Sequence, residues 1–323
     1  MIKIATQFAR STIKRFSLAL SSILLLANSS PLPAVDLLYV SMSNNNTIVT
    51  YDTSSNNLTL ILASASTFAS TNLSVPGGLA FDPSGNLYAA NASGSTISKF
   101  NSLGVYQSNI NSNLNGPHGL VIDSSGNLYA ANANDNSISK FNSSGVYQSS
   151  INTNLNIPYG LAFDSSGNLY ASNTSNSTIS KYNTAGVFQS IIGSASNLSG
   201  PAGLAFDTSG NLYASNLFNS TISKYNSSGV FQSTIGSSSN LNFPYGLAFD
   251  SSGNLYAANN SGHFISKFDP SGNYLFSIST GSASPAYLAF KPATVPEPST
   301  YALATIATGV MAYLASQRKA RNS

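Results

Sequence analysis

A fourteen-residue phrase, Pro-x-Gly-Leu-Ala-Phe-Asp-x-Ser-Gly-Asn-Leu-Tyr-Ala, recurs nearly unchanged five times, starting at Pro76, Pro117, Pro158, Pro201 and Pro244. Successive copies lie 41, 41, 43 and 43 residues apart, and a degenerate sixth, Pro285–Phe290, follows after another 41. A period near 40–45 residues with several short strands per unit predicts the blades of a β-propeller. It does not predict the activity, because this architecture carries many unrelated functions.

Each unit reads as four strands. In the first copy, Gly78–Phe81 is a short apolar strand, and Asp82–Asn86 a tight turn in which Gly85 suits a left-handed position. Leu87–Ala90, Thr96–Phe100 and Gly104–Ser108 follow as strands two to four, with a loop at Asn91–Ser95. Runs of four to six residues punctuated by Gly, Asn, Ser and Pro are strand grammar. Ahead of the first copy, Asp36–Ser41, Thr47–Tyr51 and Leu58–Leu62 match strands two to four of a unit, whereas Tyr287–Phe290 matches only strand one. The two fragments complete one blade. The expected fold class is therefore all-β: a six-bladed propeller of four-stranded antiparallel blades over residues 35–292. A blade shared between the N- and C-terminal strands closes the ring and leaves no open edge between first and last blades.

The Gly-Leu-Ala-Phe-Asp-x-Ser-Gly-Asn-Leu-Tyr-Ala core and the Ile-Ser-Lys-Phe strand after it resemble the NHL-repeat family. Two positions depart from that family. Asn91, Asn132, Asn173, Asn216 and Asn259 stand where it often has Asp, and Lys99, Lys140, Lys181, Lys224 and Lys267 replace a usually apolar residue.

The ends of the chain address it. Residues 1–15 carry Lys3, Arg10, Lys14 and Arg15 and no acid; an apolar run over 16–27 and small residues follow. This is the pattern of a secretory signal peptide over 1–34, with cleavage near 29 or 34; a retained amphipathic anchor is the alternative. At the other end, Val295, Pro296, Glu297, Pro298 and Ser299 precede a hydrophobic span over 301–316 and a basic end at Arg318, Lys319 and Arg321. Together, residues 293–323 resemble the PEP-CTERM sorting signal of Gram-negative bacteria that make exopolysaccharide. The resemblance implies an exosortase-type membrane protease as partner and a transmembrane helix that holds the chain transiently in the inner membrane. It also implies a final place at the cell surface or in the outer-envelope matrix. Two prolines fix an extended segment that a protease groove binds at low ordering cost. A plain tail anchor beside a Pro-rich linker is the alternative, although the span is short for one.

The formal charge of +3 is carried by these two ends. Between residues 35 and 294 six lysines face nine aspartates, and there is no arginine. No basic cluster forms, so nucleic acid is not an expected partner. The chain has no cysteine, so disulfides and thiolate metal sites are not expected.

Hydrolase elbows, zincin motifs, Walker loops and EF-hand loops are absent from the sequence. His118 lies at the start of an inner strand, where the other units have Gly77, Tyr159, Ala202, Tyr245 and Ala286. One histidine does not make a zinc site. No catalytic residue, metal or cofactor is expected. The aspartates Asp82, Asp123, Asp164, Asp207 and Asp250 recur once per blade, as turn caps do. The five lysines are expected to lay their stems over apolar surface and offer their ammonium groups to those aspartates. The opposite face collects the candidate ligand-binding residues: His118, Tyr159 and Tyr245 at the channel mouth, and the loop residues Asn91, Asn132, Asn173, Asn216 and Asn259. Amides and hydroxyls beside aromatic rings suit a neutral polyol. Soluble loops without a ligand are the plain alternative. The expected function is a non-catalytic binding or matrix protein associated with exopolysaccharide. A propeller-type lyase or lactonase, and a scaffold for another surface protein, remain as alternatives.

Overall fold

A computed structural model describes residues 36–54, 61, 64–194 and 196–291. The proposed leader, the Pro-Glu-Pro motif, the hydrophobic span and the basic end lie outside the described residues. Among those described, no helix is long and apolar enough to cross a membrane.

The described residues form strands β1 (Leu37–Met42), β2 (Thr47–Asp52) and β3 (Ser66–Ala69), then five repeats of four strands. The first repeat is β4 (Pro76–Phe81), β5 (Leu87–Asn91), β6 (Thr96–Phe100) and β7 (Tyr106–Ile110). The second is β8 (Pro117–Ile122), β9 (Leu128–Asn132), β10 (Ser137–Phe141) and β11 (Tyr147–Ile151). The third is β12 (Pro158–Phe163), β13 (Leu169–Asn173), β14 (Thr178–Tyr182) and β15 (Phe188–Ile192). The fourth is β16 (Pro201–Phe206), β17 (Leu212–Asn216), β18 (Thr221–Tyr225) and β19 (Phe231–Ile235). The fifth is β20 (Pro244–Phe249), β21 (Leu255–Asn259), β22 (Phe264–Phe268) and β23 (Tyr274–Ser279), and β24 (Pro285–Phe290) follows.

Every sheet is a four-stranded antiparallel meander, and the sixth has the order β24-β1-β2-β3. The inner strands β4, β8, β12, β16, β20 and β24 each contact the next around a closed circle. The protein is thus an all-β six-bladed propeller whose ring closes through the shared blade. The seam is hydrogen-bonded as well as paired: Ser43 N donates to Ser284 O at 3.0 Å, Asn44 Nδ2 to Ser282 O at 2.8 Å, and Tyr287 N to Ser41 Oγ at 2.9 Å.

Two boundaries differ from the sequence expectation. The outer strand of the closing blade is Ser66–Ala69, not Leu58–Leu62. Ile61, the described residue of that run, is instead buried against Leu38, Val40 and Met42. Ser66 and Thr67 pair with Thr50 and Val49, and Phe68 packs edge-on against Tyr39 at 5.0 Å. The fourth strand of the first repeat begins at Tyr106, because Gly104 and Val105 belong to its turn.

Strand periodicity explains where the core lies. Along β1, Leu38, Val40 and Met42 enter one apolar cluster and Tyr39 enters the neighbouring one. Successive side chains point to opposite faces, so each buried strand feeds two interfaces. Six such clusters fill the six gaps between neighbouring blades. No blade owns a core of its own.

The turns follow their chemistry. Gly85 N donates to Asp82 O at 2.9 Å while Gly85 takes φ of 79°. Asp82 Oδ1 accepts from Asn86 N at 2.8 Å, and Asp82 Oδ2 from Asn86 Nδ2 at 2.7 Å. This is a three-residue hairpin turn with glycine in the left-handed position. Asp123, Asp164, Asp207 and Asp250 make the same pair of bonds, to Asn127, Asn168, Asn211 and Asn254.

Candidate functional site

The two faces of the ring are built differently. The face bearing the aspartate turns is locked by charge. Each repeat lysine stands directly across from a tyrosine of the second strand, as Lys99 does from Tyr88. All five ammonium groups lie 5.0–5.1 Å from the centre of that ring. Three also reach the turn carboxylate: Lys99 to Asp82 at 3.6 Å, Lys181 to Asp164 at 3.9 Å and Lys267 to Asp250 at 3.6 Å. The tyrosine hydroxyls of Tyr129, Tyr170, Tyr213 and Tyr256 donate to the turn carboxylates of Asp123, Asp164, Asp207 and Asp250 at 3.1–3.3 Å. In five of the six gaps the ring meets the next blade edge-on, as Tyr170 meets Phe206 at 4.9 Å. Burial pushes the Asp164 and Asp207 carboxyls up, but hydrogen bonds from Asn168 and Asn211, and then from Tyr170 and Tyr213, outweigh it and hold both below the usual carboxylate range.

On the opposite face, the five asparagines do not line a ligand surface. They are at most 1% exposed. Asn173 Oδ1 accepts from Asn156 N at 3.0 Å, while Nδ2 donates to Ser180 Oγ at 2.8 Å and Thr178 Oγ1 at 3.1 Å. Asn91, Asn132, Asn216 and Asn259 accept from Ser74, Asn115, Ser199 and Asn242 in the same way and donate to Ser98, Ser139, Ser223 and Ser266. The position needs both an acceptor and a donor. An amide supplies both, whereas an ionised carboxylate only accepts. These side chains tie each loop to the connection arriving from the previous blade, which corrects their assignment as candidate ligand contacts.

The aromatic residues of this face behave differently. His118 and Tyr159 sit on adjacent inner strands with ring centroids 4.1 Å apart. Tyr159 and Tyr245 stack at 6.1 Å across Ala202. From Tyr245 the path runs outward to Phe243 at 6.0 Å and then to Phe218 at 6.3 Å. Phe218 is 65% exposed. It belongs to the loop of the fourth repeat, and the approach to Gly200 holds it. The register shift between Pro158 and Leu161 is a bulge, a device that re-aims side chains, and it falls at Tyr159.

The chain before three of the six inner strands, β4, β12 and β20, carries strain. Val75, Ile157 and Phe243 take φ of 51°, 51° and 55°, a conformation unfavourable for side chains, above all β-branched ones. Val75 and Ile157 are also 43% and 39% exposed. Strain and apolar exposure coincide on this face.

The site is uncharged at neutral pH. Burial lowers the His118 imidazole to about 4. Burial raises the Tyr159 phenol, and burial together with Tyr159 pushes Tyr245 up to about 12. Tyr287 closes the group: it stands edge-on to Tyr245 at 6.4 Å, and its buried hydroxyl has no hydrogen-bond partner. An unsatisfied buried hydroxyl costs about 1–3 kcal/mol. His263 stands apart, its Nδ1 3.2 Å from Ala283 O. Among the described residues no three His, Cys, Asp or Glu side chains converge to hold a metal ion.

Sequence reasoning named His118, Tyr159 and Tyr245 but missed Phe218, Phe243 and Tyr287. Phe218 and Tyr287 depart from the repeat consensus at their positions, and that departure was the available signal; Phe243 stands at a variable position, where the other units have Val75, Gly116, Ile157, Gly200 and Ser284.

Residues 114–141 match the NHL repeat, and residues 294–319 match the PEP-CTERM protein-sorting motif. The motif implies recognition by an exosortase-type processing system and marks the chain as exported. No curated protein sequence matches the chain. Among solved structures, a chain of a nidogen/laminin complex superposes with a TM-score of 0.72 at 20% identity, covering 80% of this chain and 99% of that one. A streptogramin B lyase gives 0.56 at 16% identity, covering 64% and 69%. A gluconolactonase from Xanthomonas campestris gives 0.59 at 14%, covering 80% and 91%. At these identities the likeness shows the fold alone. The period, the closed six-bladed ring and the two sequence matches converge: this chain is a six-bladed β-propeller in which residues 114–141 match the NHL repeat and residues 294–319 the PEP-CTERM sorting motif.

Proposed function

We propose that this exported propeller is a non-catalytic binding protein whose channel mouth takes a neutral polyhydroxylated ligand, a segment of exopolysaccharide. The observation that supports the reading is the aromatic path of Tyr159, Tyr245, Phe243 and Phe218 on one face. Rings presented in series, with protonated phenols beside them, bind sugar faces by stacking and sugar hydroxyls by hydrogen bonds. A mouth without charge favours a neutral polymer over an acidic one. Catalysis is the weaker reading. The lyase and the lactonase share only the fold, and the mouth offers one neutral histidine, with no carboxylate among the residues in ring contact with it. The sorting motif accounts for delivery to the cell exterior, where such a polymer lies.

The test is calorimetric titration of the full chain, in a detergent without a sugar headgroup, with the neutral exopolysaccharide of the source bacterium. Saturable binding that weakens about tenfold or more in Tyr245→Ala supports the reading. Absence of binding at millimolar sugar removes it and leaves a scaffold whose partner is another protein.

A further inference from the structure

The aromatic path is open at one end and closed at the other. In five blades the third residue of the inner strand is glycine, and the inner strands approach so closely that a Cβ on Gly160 would strike Ala202 O. In the sixth blade this position is Tyr287. Its ring is buried, its hydroxyl is without a partner, and it faces the Tyr245 and Tyr159 phenols. With His118 packed on Tyr159, four rings form one contiguous group on the inner strands. In the other direction the rings continue, at spacings of 6.0–6.3 Å, to exposed Phe218 at the rim.

We propose that the site reads the terminus of a polysaccharide chain, with Tyr287 as the specificity-determining hydroxyl at its closed end and Phe218 as the platform for the units that follow. The proposal rests on the glycan reading above. An internal segment must leave a site by two routes, and the stacking surface here leads away from the channel by one. A terminal unit has a free hydroxyl where an internal unit has its next linkage. That hydroxyl, entering between Tyr159 and Tyr245, supplies the partner that the Tyr287 hydroxyl lacks. Phe243 and Phe218 then carry the following units by stacking alone, which tolerates variation in the sugar.

The experiment uses the full chain and the same neutral exopolysaccharide, intact and cut by partial acid hydrolysis to oligosaccharides about one tenth as long. Terminus recognition predicts that affinity per mass of sugar rises about tenfold on cutting, in step with the number of ends. Tyr287→Phe keeps the ring and the packing and removes only the hydroxyl; it is expected to weaken binding of the oligosaccharides about fivefold to tenfold. Phe218→Ala is expected to weaken binding of the oligosaccharides while leaving that of the monosaccharide unchanged. Binding of the intact polymer that stays constant or falls per mass on cutting overturns terminus recognition and leaves the glycan function standing. Tyr287→Phe binding like the wild type overturns the role of the hydroxyl. Failure of every form to bind overturns both readings.

Discussion

At the scale of single residues, the chain uses one side chain for two opposite needs. Asn173, itself fully buried, accepts from a backbone N–H and donates to two hydroxyls. Asn173→Ala therefore strands Asn156 N, while the two hydroxyls keep their bonds to Asn154 O and Asn176 Oδ1, and we expect a loss of about 1–3 kcal/mol. The check is the urea midpoint, which should fall while the slope of the transition stays constant. Ligand affinity of the protein that remains folded should not change. His118 gives a second expectation. Its folded pKa of about 4 lies below the ordinary 6.5, so the unfolded chain binds more protons between those values. Its contribution to stability is complete above about pH 6.5 and is lost as pH falls toward 4, up to about 3 kcal/mol. Urea midpoints at pH 7 and pH 4.5 should differ less in His118→Phe than in the wild type. The carboxyls of Asp164 and Asp207 act lower on the scale: held down in the fold, they add stability above their unfolded value of 3.8 and lose it as pH falls through their folded values. These roles were only partly legible beforehand. A turn aspartate declares itself by its neighbours, Ser-Gly-Asn, within four residues. The asparagine's main partner, Asn156 N, lies 17 residues away on the connection from the previous blade. Nothing within its own loop distinguishes it from a solvent-facing amide.

At the scale of elements, the tyrosine and lysine of neighbouring strands form a repeated brace whose strength depends on burial. Lys181 retains 27% side-chain exposure, whereas Lys267 retains 1% and faces a carboxylate that is 3% exposed. Lys181→Met should cost less than about 1 kcal/mol, since a cation over a ring and a partly solvated ion pair are each small. Lys267→Met leaves Asp250 charged in a buried place and should cost about 3 kcal/mol or more. Thermal melts of the two variants separate these outcomes; equal losses would contradict the role of burial. The inner strands set a steric limit. Gly160→Ala places a methyl group against Ala202 O, and we expect destabilisation of about 1–3 kcal/mol. Strand positions were readable because the alternation is strict and repeats. The outer strand of the closing blade was not, because Ser66–Ala69 carries no repeat signature and its Phe68 finds Tyr39 only in the fold.

At the scale of the whole molecule, stability belongs to the gaps between blades. Each of the six apolar clusters takes residues from two neighbours, so no blade stands alone and the ring should unfold as one unit. Circular dichroism and tyrosine fluorescence are expected to report the same urea midpoint. Ending the chain before Pro285 removes β24, exposes the edge of β1 and strips Leu288 from its cluster. That truncation should abolish the cooperative transition rather than shift it. A transition surviving near its original midpoint would show that closure matters little.

The repeat by itself determined the number of blades, the order of strands and the shared closing blade. These follow from local alternation, turn chemistry and a period, all of which lie along the chain. The C-terminal end of the chain likewise carried the sorting motif in contiguous residues. Only the tertiary structure decided which residues are exposed on the face opposite the aspartate turns. It turned five asparagines inward, and it brought Phe218, Phe243, Tyr245 and Tyr159 into one path although they come from three repeats. It also set Tyr287, where the other blades have glycine, edge-on against Tyr245. The physical reason is that exposure at the mouth is set between blades, by the distance from one inner strand to the next, and a repeat read alone contains no information about its neighbour.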